Sequence, residues 1–377
     1  VDAVSILVLN AGSSTLKFAL FAGRSTETVA ADTLEHPPAD AVRNVAGAVR
    51  EAAAADPILA VGHRVVHGGP RFTVSVAIDG AVIDEISRLS ELAPLHNPAA
   101  VETIAEARRS FPGIPHVAVF DTSFFSDLPP RRHVYPLPYH WYAGHGIRRF
   151  GFHGINHAYC CARAAELLRR PEEGFRTVVC HLGNGCSATA TIGGTPVATT
   201  MGFTPLEGLM MGTRAGSVDP GILLYAMGRL GLSASDLDRT LRHESGLLGV
   251  SGVSSDFREV RKAAREGNER ARLALEIFAD AVRAAVGALA AAAGGIDALV
   301  FTAGIGENAV ELREEVCRGL GFLGLRFDAE RNRSLRPDAV VSPEGPGGRV
   351  LVLRAREELQ IARETLRVAG EGEGRGG

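Results

Sequence analysis

Histidine and arginine crowd beside glycine and proline in a few short stretches of this chain. They are Gly62-His63-Arg64-Val65-Val66-His67-Gly68-Gly69, Leu95-His96-Asn97-Pro98, Phe120-Asp121-Thr122-Ser123, Phe152-His153-Gly154 with His157, and Gly212-Thr213-Arg214. Polar side chains set just after apolar runs, next to turn formers, are typically aimed into a cleft. Plainer roles compete. His63 and His67 can bond backbone in a turn, His96 can serve the turn before Asn97-Pro98, and His157 can belong to a following helix. His153 and His157 have the i,i+4 spacing of a zinc pair, but Gly154 between them and the missing glutamate argue against that metal.

Three glycine-rich turns follow apolar runs: Asn10 to Thr15, Gly183 to Ser187, and Ala303 to Asn308. Glycine lets backbone approach a ligand closely, and successive amides can face phosphate oxygens. Ser13, Ser14 and Thr15 add hydroxyl donors. No turn ends in Gly-Lys-Ser/Thr, and none carries a dinucleotide fingerprint. The first two lead into strands. The third opens a helix, whose N-terminus suits a phosphate or nucleotide.

Apolar runs predict strands at Val4 to Leu9, Leu16 to Phe21, Leu59 to Val66, His116 to Phe120, Thr177 to Leu182, Ser187 to Ile192, Ala298 to Thr302 and Val350 to Leu353. Helical spacing is found at Ala39 to Ala54, Pro98 to Ser110, His157 to Arg169, Glu269 to Ala293, Glu307 to Leu320 and Glu357 to Val368. Alternation in both halves predicts an α/β class, with mixed sheets because the first strands form hairpins. A shift of 173 residues places Gly12 on Gly185 and Ser14 on Ser187, which suggests a duplicated domain. Pro129 to Gly146 reads as an irregular connection, and Gly370 to Gly377 as a disordered tail.

With 377 residues the chain is long enough for two domains. Hydrophobic residues at 46% and charged residues at 22% exclude disorder for most of it. A net charge of -3 gives no basic excess for nucleic acid or an anionic membrane. Among the 40 basic residues only Lys17 and Lys262 are lysines, so a single arginine carries little weight. Cys160, Cys161, Cys180, Cys186 and Cys317 show no metal-ligand spacing and fit buried thiols of a reducing cytoplasm. Val1 to Leu9 lacks the basic start of a secretory leader. The Ala284 to Ile296 run falls short of the ~20 residues that span a bilayer.

Taken together, the motifs resemble the acetate and butyrate kinase family of the sugar kinase, heat-shock 70 and actin superfamily. The matching segments are LVLNAGSSTLKF, VGHRVVHGG, LAPLHNP, VFDTSFF, RRFGFHGINH, HLGNGCSATA, FTPLEGLMMGTRAG, SSDFR and FTAGIGEN, with EELQIARET extending the match to residue 365. The resemblance implies two duplicated actin-like (ribonuclease H-like) domains, with mixed β-sheets flanked by helices and a central nucleotide cleft. Residues 1–125 with 359–377 would form the first domain, and 126–358 the second. The implied activity is acetate kinase: reversible formation of acetyl phosphate and ADP from acetate and ATP, with Mg2+ or Mn2+, in a cytoplasmic homodimer. A carboxylate nucleophile is already ionised at neutral pH, so no general base is needed. Alignment and cations around the transferred phosphoryl group remain.

By the same resemblance Arg64 would hold the acetate carboxylate and Arg214 the phosphoryl oxygens, since a planar fork suits both. His153 would donate to the phosphoryl group, His96 would be a second active-site histidine, and Asp121 would orient Arg64. Asn10 and Glu357 match the metal site, with Glu358 as the alternative because Arg354-Ala355-Arg356 precedes the pair where Pro-Thr is usual. Val66, Leu95, Phe152 and Pro205 match the pocket for the substrate methyl. Lys17, His181, Leu182, Gly183, Asn184 and Gly185 would contact the phosphates. Asp256, Phe257 and Arg258 would lie near ribose and adenine, and Gly304, Ile305, Gly306, Glu307 and Asn308 near phosphates and adenosine. Ser217 and Ser123-Phe124-Phe125 depart from the family pattern without removing a proposed catalytic residue. Two rival readings are a propionate or butyrate kinase and a non-catalytic nucleotide-binding regulator.

Overall fold

Seven consecutive buried residues, Ser5–Ala11, form β1 at the centre of a six-stranded sheet. They were resolved in a computed structural model that describes residues 4–12, 15–22, 27–35, 38–52, 57–94, 96–171 and 173–373. Of the residues singled out above, Ser13, Ser14 and Leu95 lie outside the described residues, as do Ala53-Ala54 and 374–377. Two compact units divide the chain. The first is Val1–Ser126, Phe152–Tyr159 and Arg356–Gly377; the second is Asp127–Gly151 and Cys160–Ala355.

In the first unit β2 (Leu16–Ala22), β3 (Glu27–Leu34), β4 (Ile58–Val65), β5 (Val76–Ala77) and β6 (His116–Phe120) join β1 in the order β3-β2-β1-β4-β6-β5. β1, β2 and β3 form an antiparallel meander, while β4 runs parallel to both β1 and β6. The exposed edge strand β3 is absent from the sequence expectation because ETVAADTL lacks a strong apolar period. Leu7, Leu9, Leu16 and Leu20 pack with Val42 and Val45 of the helix Pro38–Ala52 and Ala107 of the helix Asn97–Ser110. The helix Glu357–Glu373 crosses β1, β4 and β6. It seats on Gly62, where a Cβ would lie 2.2 Å from Thr365 Oγ1, so only glycine permits this approach.

The second unit repeats the plan. β7 (Arg176–Leu182), β8 (Cys186–Ile192) and β9 (Thr195–Thr199) form the meander, and β7 pairs in parallel with β10 (Ala298–Thr302). With β11 (Leu325–Arg326), β12 (Ala339–Val340) and β13 (Gly348–Val352) the order is β11-β13-β10-β7-β8-β9, β12 pairing β13. Each unit thus carries an antiparallel meander followed by parallel strands, so the two share one plan. The helix Glu269–Ala293 covers β7, β8 and β9; the Asn268 side chain caps its start and left-handed Gly294 ends it.

Some elements differ from expectation. Pro129 to Gly146 holds two short helices, Pro130–His133 and Tyr139–His145, the second closed by left-handed Gly146. The stretch expected as one helix from Glu307 is broken at Ala309, giving Ala303–Asn308 and Val310–Arg318. The last helix runs to Glu373, through residues expected in the tail. Helices Gly80–Arg88, Pro220–Arg229, Ala234–His243 and Phe257–Arg265 were not anticipated, although Asp79, Asp219, Ser233 and Asp256 cap them. All five cysteines are buried.

Inside the first unit His63 of β4 and His116 of β6 face each other, Nε2 to Nδ1 at 2.9 Å, rings stacked at 5.2 Å. Burial lowers the His63 pKa well below its usual value, with neighbouring His116 adding to the effect. Burial likewise lowers that of His116 to about 4. The unfolded chain binds protons at these sites near pH ~6.5, the folded chain only at lower pH. The stability the pair contributes is therefore complete above that pH and is lost as pH falls from about 6.5 toward 4. Urea midpoints should drop between pH 7 and pH 5, each histidine contributing up to about 1.4 kcal/mol per pH unit. The double substitution His63→Leu/His116→Leu should flatten that slope; an unchanged slope would assign it elsewhere.

Candidate active site

Parallel pairing sets the polar cluster of the first unit. Leu9 pairs with His63 and Val65 with Phe120, so Asn10, Arg64 and Asp121 emerge together at the ends of β1, β4 and β6. The Asp121 N–H donates to the Val65 carbonyl at 3.0 Å, which fixes where its side chain starts. Arg64 donates to Asp121 Oδ2 from Nη2 at 2.7 Å and from Nε at 3.1 Å. Its Nη1 donates to Asn10 Oδ1 at 3.3 Å. Asn10 Nδ2 in turn donates to Glu358 Oε1 at 2.9 Å and Glu357 Oε2 at 3.2 Å. Both glutamates therefore reach Asn10, at the first turn of the last helix. Burial works against the Arg64 charge, but Asp121, Glu357 and Glu358 together hold the guanidinium protonated above its usual range. Burial raises the Asp121 carboxyl against the pull of Arg64.

The FHG turn is pressed onto this cluster. A Cβ at Gly154 would lie 2.0 Å from the Asp121 carbonyl oxygen, so glycine alone fits there. His153, one residue earlier, is held at φ 58°, a left-handed conformation that a side chain adopts only where its surroundings impose it. Phe152 is buried and meets the edge of the His67 ring at 5.4 Å. Val66 is buried beside it in sequence. His96 sits at the start of the helix Asn97–Ser110. Fully buried Asn97 then accepts from the His67 N–H at 3.2 Å and donates to the His67 carbonyl at 3.1 Å, tying this helix to the segment after β4. Lys17, exposed on β2, stands directly across from Asn10 on the same face.

Asn10, Glu357 and Glu358 offer hard oxygen donors, and two carboxylates converge on one neutral amide. That donor set fits Mg2+, which uses one or two carboxylates and keeps water or phosphate as its other ligands. Among the described residues no group of three His, Cys, Asp or Glu forms a protein-only metal cage.

In the second unit the turns after β7 and β10 lie at the ends of two adjacent parallel strands, the position where α/β sheets bind ligands. Gly183, Asn184, Asp256, Phe257, Arg258, Gly304, Ile305 and Asn308 line a cavity of about 740 Å³ there. Ser255, Arg261 and Ala309 complete the lining and were not anticipated; nothing marks Arg261 among so many arginines. His181 and Leu182 are instead buried within β7, and Gly306 is buried under the turn. Gly185 supplies the carbonyl that the Gly183 N–H bonds at 3.2 Å. Glu307 accepts from the Ala355 N–H at 2.9 Å, and burial raises its carboxyl pKa. Asp256 caps its helix, accepting from the Arg258 N–H at 2.8 Å.

Arg214 belongs to the same unit. The Gly212 N–H donates to the Asn184 carbonyl at 3.1 Å, which attaches the Gly212-Thr213-Arg214 loop to a residue lining the cavity. Arg214 Nη1 donates to the Pro205 carbonyl at 3.1 Å, and Pro205 itself is buried. No carboxylate pairs with Arg214 among the described residues. Burial, and then neighbouring Arg242, lower its pKa. A half-buried cation without a counter-charge is a poor structural element and a good anion receptor.

The model of the acetokinase family matches residues 36–363. The acetate kinase of Caldanaerobacter subterraneus subsp. tengcongensis is 51% identical over 307 residues, covering 81% of this chain and 77% of its own length. The crystal structure of Porphyromonas gingivalis acetate kinase superposes with a TM-score of 0.90 at 38% identity, over 97% of this chain and 99% of that one. A propionate kinase from Francisella tularensis superposes with a TM-score of 0.89 at 36% identity, over 97% and 100%.

Asp121 is buried and Arg64 half-buried, so removing one partner leaves a poorly compensated charge. Asp121→Ala should destabilise the first unit by about 3–5 kcal/mol, nearer the lower figure because Glu357 and Glu358 still face Arg64. Urea denaturation checks this; a loss below about 1 kcal/mol would mean the pair is as weak as an exposed one.

Proposed function

The chain belongs to the acetokinase family, and from that premise we propose that it is an acetate kinase. It transfers the terminal phosphoryl group of ATP to acetate, reversibly, giving acetyl phosphate and ADP by direct in-line attack. The observation that carries the reading is Arg214, a half-buried cation without a carboxylate partner among the described residues, fastened through Gly212 to a turn of the nucleotide-sized cavity. Such a cation supports a role on phosphoryl oxygens.

Acetate needs no deprotonation at neutral pH, so the protein's work is alignment and charge management. Arg64 is suited to the first task. Asp121 occupies its Nε and one Nη2 hydrogen, and Asn10 one Nη1 hydrogen. One hydrogen on each terminal nitrogen remains, enough for a carboxylate to bridge the two. Asp121 thus orients the fork and keeps it from rotating. His153 would donate to the phosphoryl group from its imposed backbone conformation, with His96 as the second histidine. Asn10, Glu357 and Glu358 would hold Mg2+ or Mn2+, which supplies positive charge to phosphate oxygens when bound. Val66 and Phe152, both buried in the first unit, would meet the methyl group. Gly183, Asn184, Asp256 to Arg258, Gly304, Ile305 and Asn308 would bind the nucleotide.

Propionate kinase is the second reading, favoured by the nearly equal superposition on the Francisella tularensis enzyme. One methylene in an apolar pocket is worth only about 1–3 kcal/mol, so both acids can be substrates. A homodimer is supported by exposed Ile222, Leu224, Tyr225 and Leu230, from the helix Pro220–Arg229 and the residue after it. A reducing, cytoplasmic setting is supported by five buried cysteines. Among the described residues no helix is long and apolar enough to cross a membrane.

Incubation with ATP, magnesium and acetate should yield acetate-dependent hydroxamate when acyl phosphate is trapped with hydroxylamine. Failure to form it while ATP binds would favour another acid or the non-catalytic regulator. Across acetate, propionate and butyrate, kcat/KM should fall; a flat or rising series would overturn the acetate assignment. Arg214→Ala should lower kcat by about 10²–10³-fold, as loss of a charge-stabilising donor does, with ADP binding nearly unchanged. Turnover within about tenfold of the parent, ~1.4 kcal/mol in barrier, would remove Arg214 from the reaction.

A further inference from the structure

Arg313 is among the largest fully buried side chains of the molecule, with 1% of its surface exposed. No carboxylate pairs with it among the described residues. Its donors go to neutral acceptors instead. Nη1 donates to the carbonyls of Gly306 at 2.9 Å and Glu307 at 2.8 Å. Nε donates to Asn332 Oδ1 at 2.7 Å, and Nη2 to the Asn332 carbonyl at 3.4 Å. Burying a guanidinium among uncharged partners is costly, and burial lowers its pKa to about 10. A simple packing role would be filled by an apolar side chain at lower cost.

The acceptors explain the choice. Gly306 and Glu307 belong to the helix Ala303–Asn308, which has six residues and ends at Ala309. A helix that short is not stable alone, and its last carbonyls lack helical donors. It also begins under strain, with Ala303 at φ 65°. Gly304, Ile305 and Asn308 of this same helix line the 740 Å³ cavity. The guanidinium supplies the missing donors and a positive charge at the carbonyl end, where the helix dipole favours it. Asn332, fully buried, aims the guanidinium and is itself fixed by donating to the Val310 carbonyl at 3.0 Å.

We propose that Arg313 is a positioning residue for the nucleotide: from outside the cavity it locks the turn that presents Gly304, Ile305 and Asn308, and Asn332 orients it. The inference rests on the reading of this cavity as the nucleotide site. Arg313 touches no substrate; it acts on nucleotide affinity through the carbonyls of Gly306 and Glu307.

The test compares ADP binding by calorimetry with separate KM values for ATP and acetate, on the full chain. Arg313→Met should weaken ADP binding and raise the ATP KM by about tenfold or more, while the acetate KM stays within about twofold. Arg313→Lys, which keeps the charge but not the fork, should fall between parent and Arg313→Met. Asn332→Ala should shift the same two quantities in the same direction, by less. A purely structural role would lower the urea midpoint without separating the two KM values. ADP binding within about twofold of the parent in folded Arg313→Met, or equal rises in both KM values, overturns the proposal. If Arg313→Met does not fold, Arg313→Lys and Asn332→Ala decide by the same criteria. A parent that binds ADP but forms no hydroxamate counts against acetate kinase activity alone. A parent that binds no ADP overturns both readings.

Discussion

Parallel pairing of β4 with β1 on one side and β6 on the other is the constraint on which the first unit's site depends. It brings the ends of three strands, far apart in the chain, to one edge of the sheet. Asn10, Arg64 and Asp121 become neighbours for that reason. Everything else there is support. The helix Glu357–Glu373 can deliver two carboxylates to Asn10 because Gly62 lets it lie against β4. The FHG turn can rest on Asp121 because Gly154 has no Cβ. Both glycines act by the absence of atoms, and each fixes a charged group that lies elsewhere.

The second unit uses the same plan for a different purpose. Its β7 and β10 ends carry glycine-rich turns rather than charged side chains, and the result is an open cavity lined by backbone and a few polar groups. One strand arrangement has thus been furnished twice, once with charged side chains and once with glycine-rich main chain around a cavity. The comparison shows why the shared fold alone does not fix chemistry: the sheets agree while the residues at their ends do not.

Three arginines illustrate how strongly surroundings decide a residue's part. Arg64 is half-buried and held against the buried Asp121 carboxylate. Arg214 is half-buried, with no carboxylate partner among the described residues. Arg313 is fully buried among carbonyls and serves the backbone. The chain's arginine excess over lysine conceals this, since composition makes each one look ordinary.

The sequence by itself determined the local and the repeated. Apolar runs located most central strands, such as β1, β6, β7 and β10, because burial on both faces leaves a continuous apolar signature. The glycine-rich turns and the His- and Arg-bearing segments were legible for the same reason, as interruptions of that signature. Edge strand β3 was not, since an exposed strand carries no apolar alternation, and the capped helices were not because each is too short to stand out from the turns around it. Only the tertiary structure decided which charged groups share an environment. It placed both Glu357 and Glu358 on Asn10, turned Glu307 toward Ala355, and buried Arg313 beneath the turn that Gly304 begins. Those outcomes depend on pairing between distant strands and on where a missing Cβ leaves room. Neither is written in the order of residues along one segment.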